Sequence, residues 1–88
     1  MTRAETLDAA KACVCQNREM EHGSPERNFN LIADMWSVYV GVEISPVDVA
    51  CMMTQLKMAR IKTGMFKEDS FVDACGYMAC AAELAKGE

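Results

Sequence analysis

Positive charge gathers late in the chain, at Lys57, Arg60 and Lys62 and then at Lys67. Lys57 and Arg60 stand three residues apart, so a helix puts them on one face, where they can clamp a phosphate with the arginine as a bidentate fork. Lys67 and a helix start at Ser70 follow closely, and cations beside a helix N-terminus form a phosphate cradle. Cations near a helix end also simply complement its dipole, which is the structural alternative. Asp69 and Asp73 are four residues apart at the same helix start, so both carboxylates can face one way. Magnesium favours such an oxygen pair, completing its shell with waters and substrate phosphates. Alternatively Asp73 caps the helix beside Ser70 while Asp69 favours the dipole. A metal site needs a further acid. Glu19 and Glu21 are the obvious candidates, but they lie roughly 200° apart around a helix, so only one can join. Glu19, Asp69 and Asp73 are therefore the candidate metal ligands. The two aspartates would repel an anion unless a metal or an arginine intervenes.

Other chemistry is sparse. His22 is the only histidine and sits in a turn, where a hydrogen-bonding role is commoner than catalysis. No serine or cysteine nucleophile pairs with it, and no glycine-rich phosphate loop or dinucleotide fingerprint is present. No catalytic residue is assigned. Asn28, in the first turn of a helix, and Tyr77, one turn after Asp73, can hydrogen-bond a base or ribose, and Tyr77, Phe29 or Trp36 can stack on one. Core packing is the commoner role for Phe29 and Trp36.

These groups need helices to hold them, and the punctuation supplies four, at about 3–20, 25–40, 46–63 and 70–85. Thr2 with Glu5 is a capping box ahead of Leu7, Ala10 and Val14, and His22-Gly23 ends that segment. Ser24-Pro25-Glu26 combines an N-cap hydroxyl, a proline at the first helical position and a first-turn acid. Phe29, Ile32, Ala33, Trp36 and Val40 then form one apolar stripe, and Gly41 closes it. Ser45-Pro46 repeats the start with Asp48 at the capping-box position. Val49, Met52, Met53, Leu56 and Ala59 line that helix to Gly64. Ser70 with Asp73 opens the last helix, whose apolar face is Phe71, Cys75, Met78, Ala79 and Ala82. Its other side, Ala74, Gly76, Cys80 and Ala81, is small enough to be either the centre of a bundle or an oligomer seam. The fold class is all-α, a compact four-helix bundle forming one helical domain over residues 1–88.

Composition sets the bounds. With 51% apolar and 25% charged residues, the chain has globular composition and is not disordered. A domain of 88 residues buries only roughly 60–65% of its unfolded surface, so a homo-oligomer is expected. The five cysteines, at 13, 15, 51, 75 and 80, are odd in number and lack C-x-x-C spacing. They are expected to be reduced packing residues of a cytosolic protein, and the eight methionines soft core filler. Arg3, Glu5 and Asp8 interrupt the N-terminal region, so no signal peptide is expected. No apolar run approaches the roughly 20 residues of a membrane span. A net charge of −4 argues against non-specific nucleic-acid binding.

Four stretches carry a resemblance: His22-Gly23-Ser24-Pro25-Glu26-Arg27-Asn28-Phe29 with Ile32-Ala33-Asp34-Met35-Trp36; Ile44-Ser45-Pro46-Val47-Asp48-Val49-Ala50; Leu56 to Gly64; and Lys67 to Tyr77. Over roughly residues 15–85 the chain resembles a phage- and prophage-encoded family of small helical proteins of uncharacterised function. More distantly it is similar to phage nucleotide-modification-associated domains and to all-α nucleoside triphosphate pyrophosphohydrolases. Those enzymes hold magnesium on a Glu-x-x-Glu and a Glu-x-x-Asp pair. This chain has Asp69-x-x-x-Asp73 and no clear Glu-x-x-Glu.

The resemblance and the residues together imply a cytoplasmic protein of an infected or lysogenic bacterial host that binds a nucleotide-type ligand in crevices shared between copies. Sequestering a small cyclic nucleotide signal of antiviral defence would suit it. Arg18, Lys57, Arg60 and Lys67 would neutralise phosphate, and Asn28 and Tyr77 would read base or sugar, with no cofactor. The alternatives are a magnesium-dependent pyrophosphohydrolase using Glu19, Asp69 and Asp73, and a protein-binding inhibitor of a host defence complex. The incomplete acid set favours binding over catalysis.

Overall fold

The computed structural model describes residues 1–17 and 24–87, and three of the four expected helix starts appear in it as hydrogen bonds. Helix α1 spans Arg3–Ala12. Thr2 Oγ1 accepts from the Glu5 N–H at 3.1 Å, while the Thr2 N–H donates to Glu5 Oε1 at 2.8 Å, satisfying two otherwise orphaned donors. α-Helical spacing then gives way to a π-helical stretch, Cys13–Asn17, and residues 18–20 of the expected helix lie outside the described residues. The stop expected at His22-Gly23 lies outside the described residues.

Helix α2 spans Pro25–Val40 behind the Ser24 cap, whose hydroxyl accepts from the Arg27 N–H at 3.2 Å. It ends on Gly41 at φ 87°, the left-handed conformation that glycine adopts at no steric cost. Ser37 ties down the connection that follows: its Oγ accepts from the Ile44 N–H at 2.8 Å and donates to the Ala33 carbonyl at 2.7 Å. Helix α3 spans Pro46–Thr63 and opens with the expected Ser45–Asp48 capping box, both bonds at 3.0 Å. Helix α4 spans Glu68–Gly87. It begins two residues before the expected start because Glu68 and Asp69 already suit the positive end of the dipole. Ser70 sits inside the first turn, and the Ser70–Asp73 capping box does not form. Among the described residues there are four α-helices and no strand, so the chain is all-α. No helix among them is long and apolar enough to cross a membrane.

One core joins the last three helices. Phe29 and Ala33 of α2, Val49 and Ala50 of α3, and Cys80 and Ala81 of α4 form a single buried cluster, flanked by Val14, Ile32, Trp36 and Leu84. The small side of α4 is therefore the bundle centre. Gly76 is buried there so tightly that a Cβ would lie 2.9 Å from Val14 Cγ1. The apolar faces expected for α3 and α4 need correction, since Met52, Leu56, Phe71 and Met78 stay 40–47% exposed. Small residues win the interior because they let two backbones approach, which larger side chains prevent. Val40, expected in the α2 core stripe, is 58% exposed. No disulfide joins the five cysteines.

Two outcomes follow. Phe29→Ala should cost about 3–5 kcal/mol in urea unfolding, as for a buried aromatic, whereas Val40→Ala should cost under about 0.5 kcal/mol. Hydrogen bonds from Thr2 hold the Glu5 carboxyl below its ordinary 4.5. The capping box therefore contributes in full above 4.5, and its contribution is lost as pH falls through the lowered value. An NMR titration of the Glu5 carboxyl carbon should give a midpoint below 4.5, and a midpoint at or above it would contradict the bonded geometry.

Candidate functional site

The end of α3, the short connection and the start of α4 enclose a groove of about 570 Å³. It is lined by Lys57, Arg60, Thr63, Gly64, Met65, Lys67, Asp69 and Ser70. A volume of this size suits a small organic ligand. The turn that shapes it depends on Gly64, whose N–H donates to the Arg60 carbonyl at 2.9 Å and where a Cβ would meet that same oxygen at 2.9 Å. Three of the expected ligand contacts, Lys57, Arg60 and Lys67, thus converge from α3 and the connection that follows it.

Their electrostatic states differ. Lys57 Nζ donates to Asp73 Oδ2 across the α3–α4 seam at 2.9 Å, with the side chains 14% and 37% exposed. Part of the lysine charge is already answered there, and Asp73 serves the seam instead of capping its own helix. Arg60 and Lys67 are exposed and have no ion-pair partner among the described residues, so their charge is available to the groove. Asp69, on the rim, opposes it. An anionic group carrying hydrogen-bond acceptors is the ligand chemistry this lining favours, with arginine able to offer a paired donor set.

The other expected contacts lie elsewhere. Tyr77 stacks at a tilt on Phe29, ring centroids 6.3 Å apart. It lines a small cavity of about 20 Å³ with Asp73, Gly76 and Cys80, none of which lines the groove; Asp73 is linked to it only through its partner Lys57. Asn28 is half-buried on α2 and is not part of the groove lining. Arg18 and Glu19 fall outside the described residues. Of the candidate metal ligands, Asp69 is on the groove rim and Asp73 is engaged by Lys57. Among the described residues no three acidic, cysteine or histidine groups cluster as a metal site.

A second cavity, of about 550 Å³, has no counterpart in the sequence reading. Met1 and Leu7 at the N-terminal end, Phe66 of the connection, and Phe71, Ala74 and Cys75 of α4 make it largely apolar, and Arg3, Thr6 and Glu68 edge it. The Met1 amino group pairs with Glu68 Oε1 at 3.0 Å beside it, and the Phe66 and Phe71 rings lie 5.8 Å apart. The signal in the sequence is Met65-Phe66, an apolar pair inside an otherwise charged connection.

Against known proteins, the family described as "Domain of unknown function (DUF6378)" matches residues 5–85. The chain is 37% identical over 78 residues to the "Gene 55 protein" of Mycobacterium phage D29, covering 89% of this chain and 52% of that protein. It is 38% identical over 72 residues to the "Gene 55 protein" of Mycobacterium phage L5, covering 81% of this chain and 46% of that protein. The chain thus spans about half the length of the curated relatives it matches. No solved structure matches it.

The Lys57–Asp73 pair should show a coupling of about 1 kcal/mol in a double-mutant cycle with Lys57→Ala and Asp73→Ala. That lies between the values of exposed and fully buried pairs. Additive losses would mean that the two side chains do not act together in solution.

Proposed function

The chain belongs to the DUF6378 family, found in phage proteins, and we propose that it binds a small phosphate-bearing nucleotide in the groove between α3 and α4. The observation that carries this is the convergence of Lys57, Arg60 and Lys67 on one groove of about 570 Å³ beside the start of a helix. Arg60 grips the phosphate as a fork, Lys67 adds a mobile charge, and Lys57, oriented by Asp73, closes the inner end. The binding is stoichiometric and leaves the nucleotide intact. A phage protein of this kind removes a cyclic nucleotide signal from the host's antiviral response by mass action. Tyr77 and Asn28, set apart from the groove, have structural roles in this scheme.

The test is depletion. The protein is mixed with a panel of linear and cyclic nucleotides, with and without magnesium, and the free nucleotide is followed by chromatography before and after denaturation. Loss of one nucleotide and its intact recovery on denaturation is the expected result. Arg60→Ala should weaken capture by at least about tenfold, the loss of one charge-assisted pair. Release of pyrophosphate or a monophosphate would replace the binding function with a magnesium-dependent hydrolase. Absence of any depletion would leave inhibition of a host protein complex as the better account.

A further inference from the structure

We propose that the outer face of α2 is a self-association seam, met by the α2 of a second copy of this chain. Helix α2 has two apolar faces. The inner one, Phe29, Ile32, Ala33 and Trp36, joins the core. The outer one, Leu31, Met35 and Val38 with Val42 just beyond the helix, repeats with spacings of four, three and four. That is the alternation with which a helix presents a continuous seam to another helix.

Exposure along this seam is too high for a monomer surface. Leu31 is 61% exposed, Met35 62%, Val38 85% and Val42 60%, and Tyr39 beside them is 92% exposed. On α3 and α4, Met52, Leu56, Phe71 and Met78 are already more than half covered, whereas Met58 is 59% exposed. From Met35 to Val42 no residue is charged, so covering the seam there strands no ion away from water. The outer faces of α3 and α4 carry Arg60, Lys62 and Glu83 and lack that property.

The exposed area is large enough for a partner of the chain's own size. A compact chain of 9.7 kDa exposes about 5,100 Å², whereas this one exposes 6451 Å². The surplus of about 1,300 Å² exceeds the ~800 Å² per partner that a stable interface covers. A seam that repeats on both copies is self-complementary under a two-fold axis, so one patch supplies both halves of the contact.

Sedimentation velocity at about 10 and 100 µM protein tests this, with far-UV circular dichroism to confirm folding. The unaltered chain should sediment as a dimer. Val38→Glu and Met35→Lys should each weaken association by about tenfold or more while helix content is retained. Tyr39→Lys, at a side chain already in solvent, provides the same readout should either variant fail to fold. Leu56→Glu, on the outer face of α3, should leave the dimer intact. A chain that is monomeric at about 100 µM overturns the proposal. So does a dimer that survives all three α2 substitutions, or one that Leu56→Glu alone dissolves.

Discussion

The close approach of α3 and α4 is the constraint from which the rest of the molecule follows. Val49 and Ala50 are fully buried on one helix, and Cys80 and Ala81 are buried on the other. With side chains this small the backbones come near each other, and tight packing rather than bulk holds the centre. Lys57 and Asp73 can reach across the seam only because the helices are this close. The groove exists because α3 ends and α4 begins within a few residues, leaving their polar ends side by side.

That arrangement gathers cations at one opening although the chain as a whole is negative. A connection of four residues between Thr63 and Glu68 brings Arg60 and Lys67 to one opening. The adjoining start of α4 adds N–H groups whose dipoles favour anions. The acids of that first turn moderate the field, and the pairing of Asp73 with Lys57 removes one carboxylate from opposing a ligand. The curated phage relatives are about twice as long as the stretch they share with this chain. Every residue that lines the groove falls inside the 5–85 region that matches the family.

Most of the scaffold is legible because its signals are local. A capping serine followed by proline acts through one or two hydrogen bonds within four residues, so Ser24-Pro25 and Ser45-Pro46 mark helix starts correctly. The inner stripe of α2 is visible in the spacing of Phe29, Ile32, Ala33 and Trp36. On α3 and α4 the buried faces are only partly legible: Val49 and Met53 are placed correctly and the small side of α4 is one of two expected bundle centres, but side-chain size is a poor measure of burial there. Phe71 and Met78 look like core residues, yet the interior goes to Gly76, Cys80 and Ala81, a choice fixed by backbone separation, which a sequence does not display. Asp73 misleads for the same reason: its local option is Ser70, and its partner comes from another helix. The gathering of Lys57, Arg60 and Lys67 is foreseeable from their proximity in the chain, whereas the separation of Asn28 and Tyr77 from them depends on long-range packing.

Gly76 has a consequence for how this region can vary. A Cβ at 76 would lie 2.9 Å from Val14 Cγ1, so positions 14 and 76 pack directly on each other although they stand 62 positions apart in the chain. A chain that gains a methyl at 76 must surrender one at 14 or shift its N-terminal segment outward. A side chain added on the last helix is thus felt first by the N-terminal segment, which links the two ends of the chain through one contact.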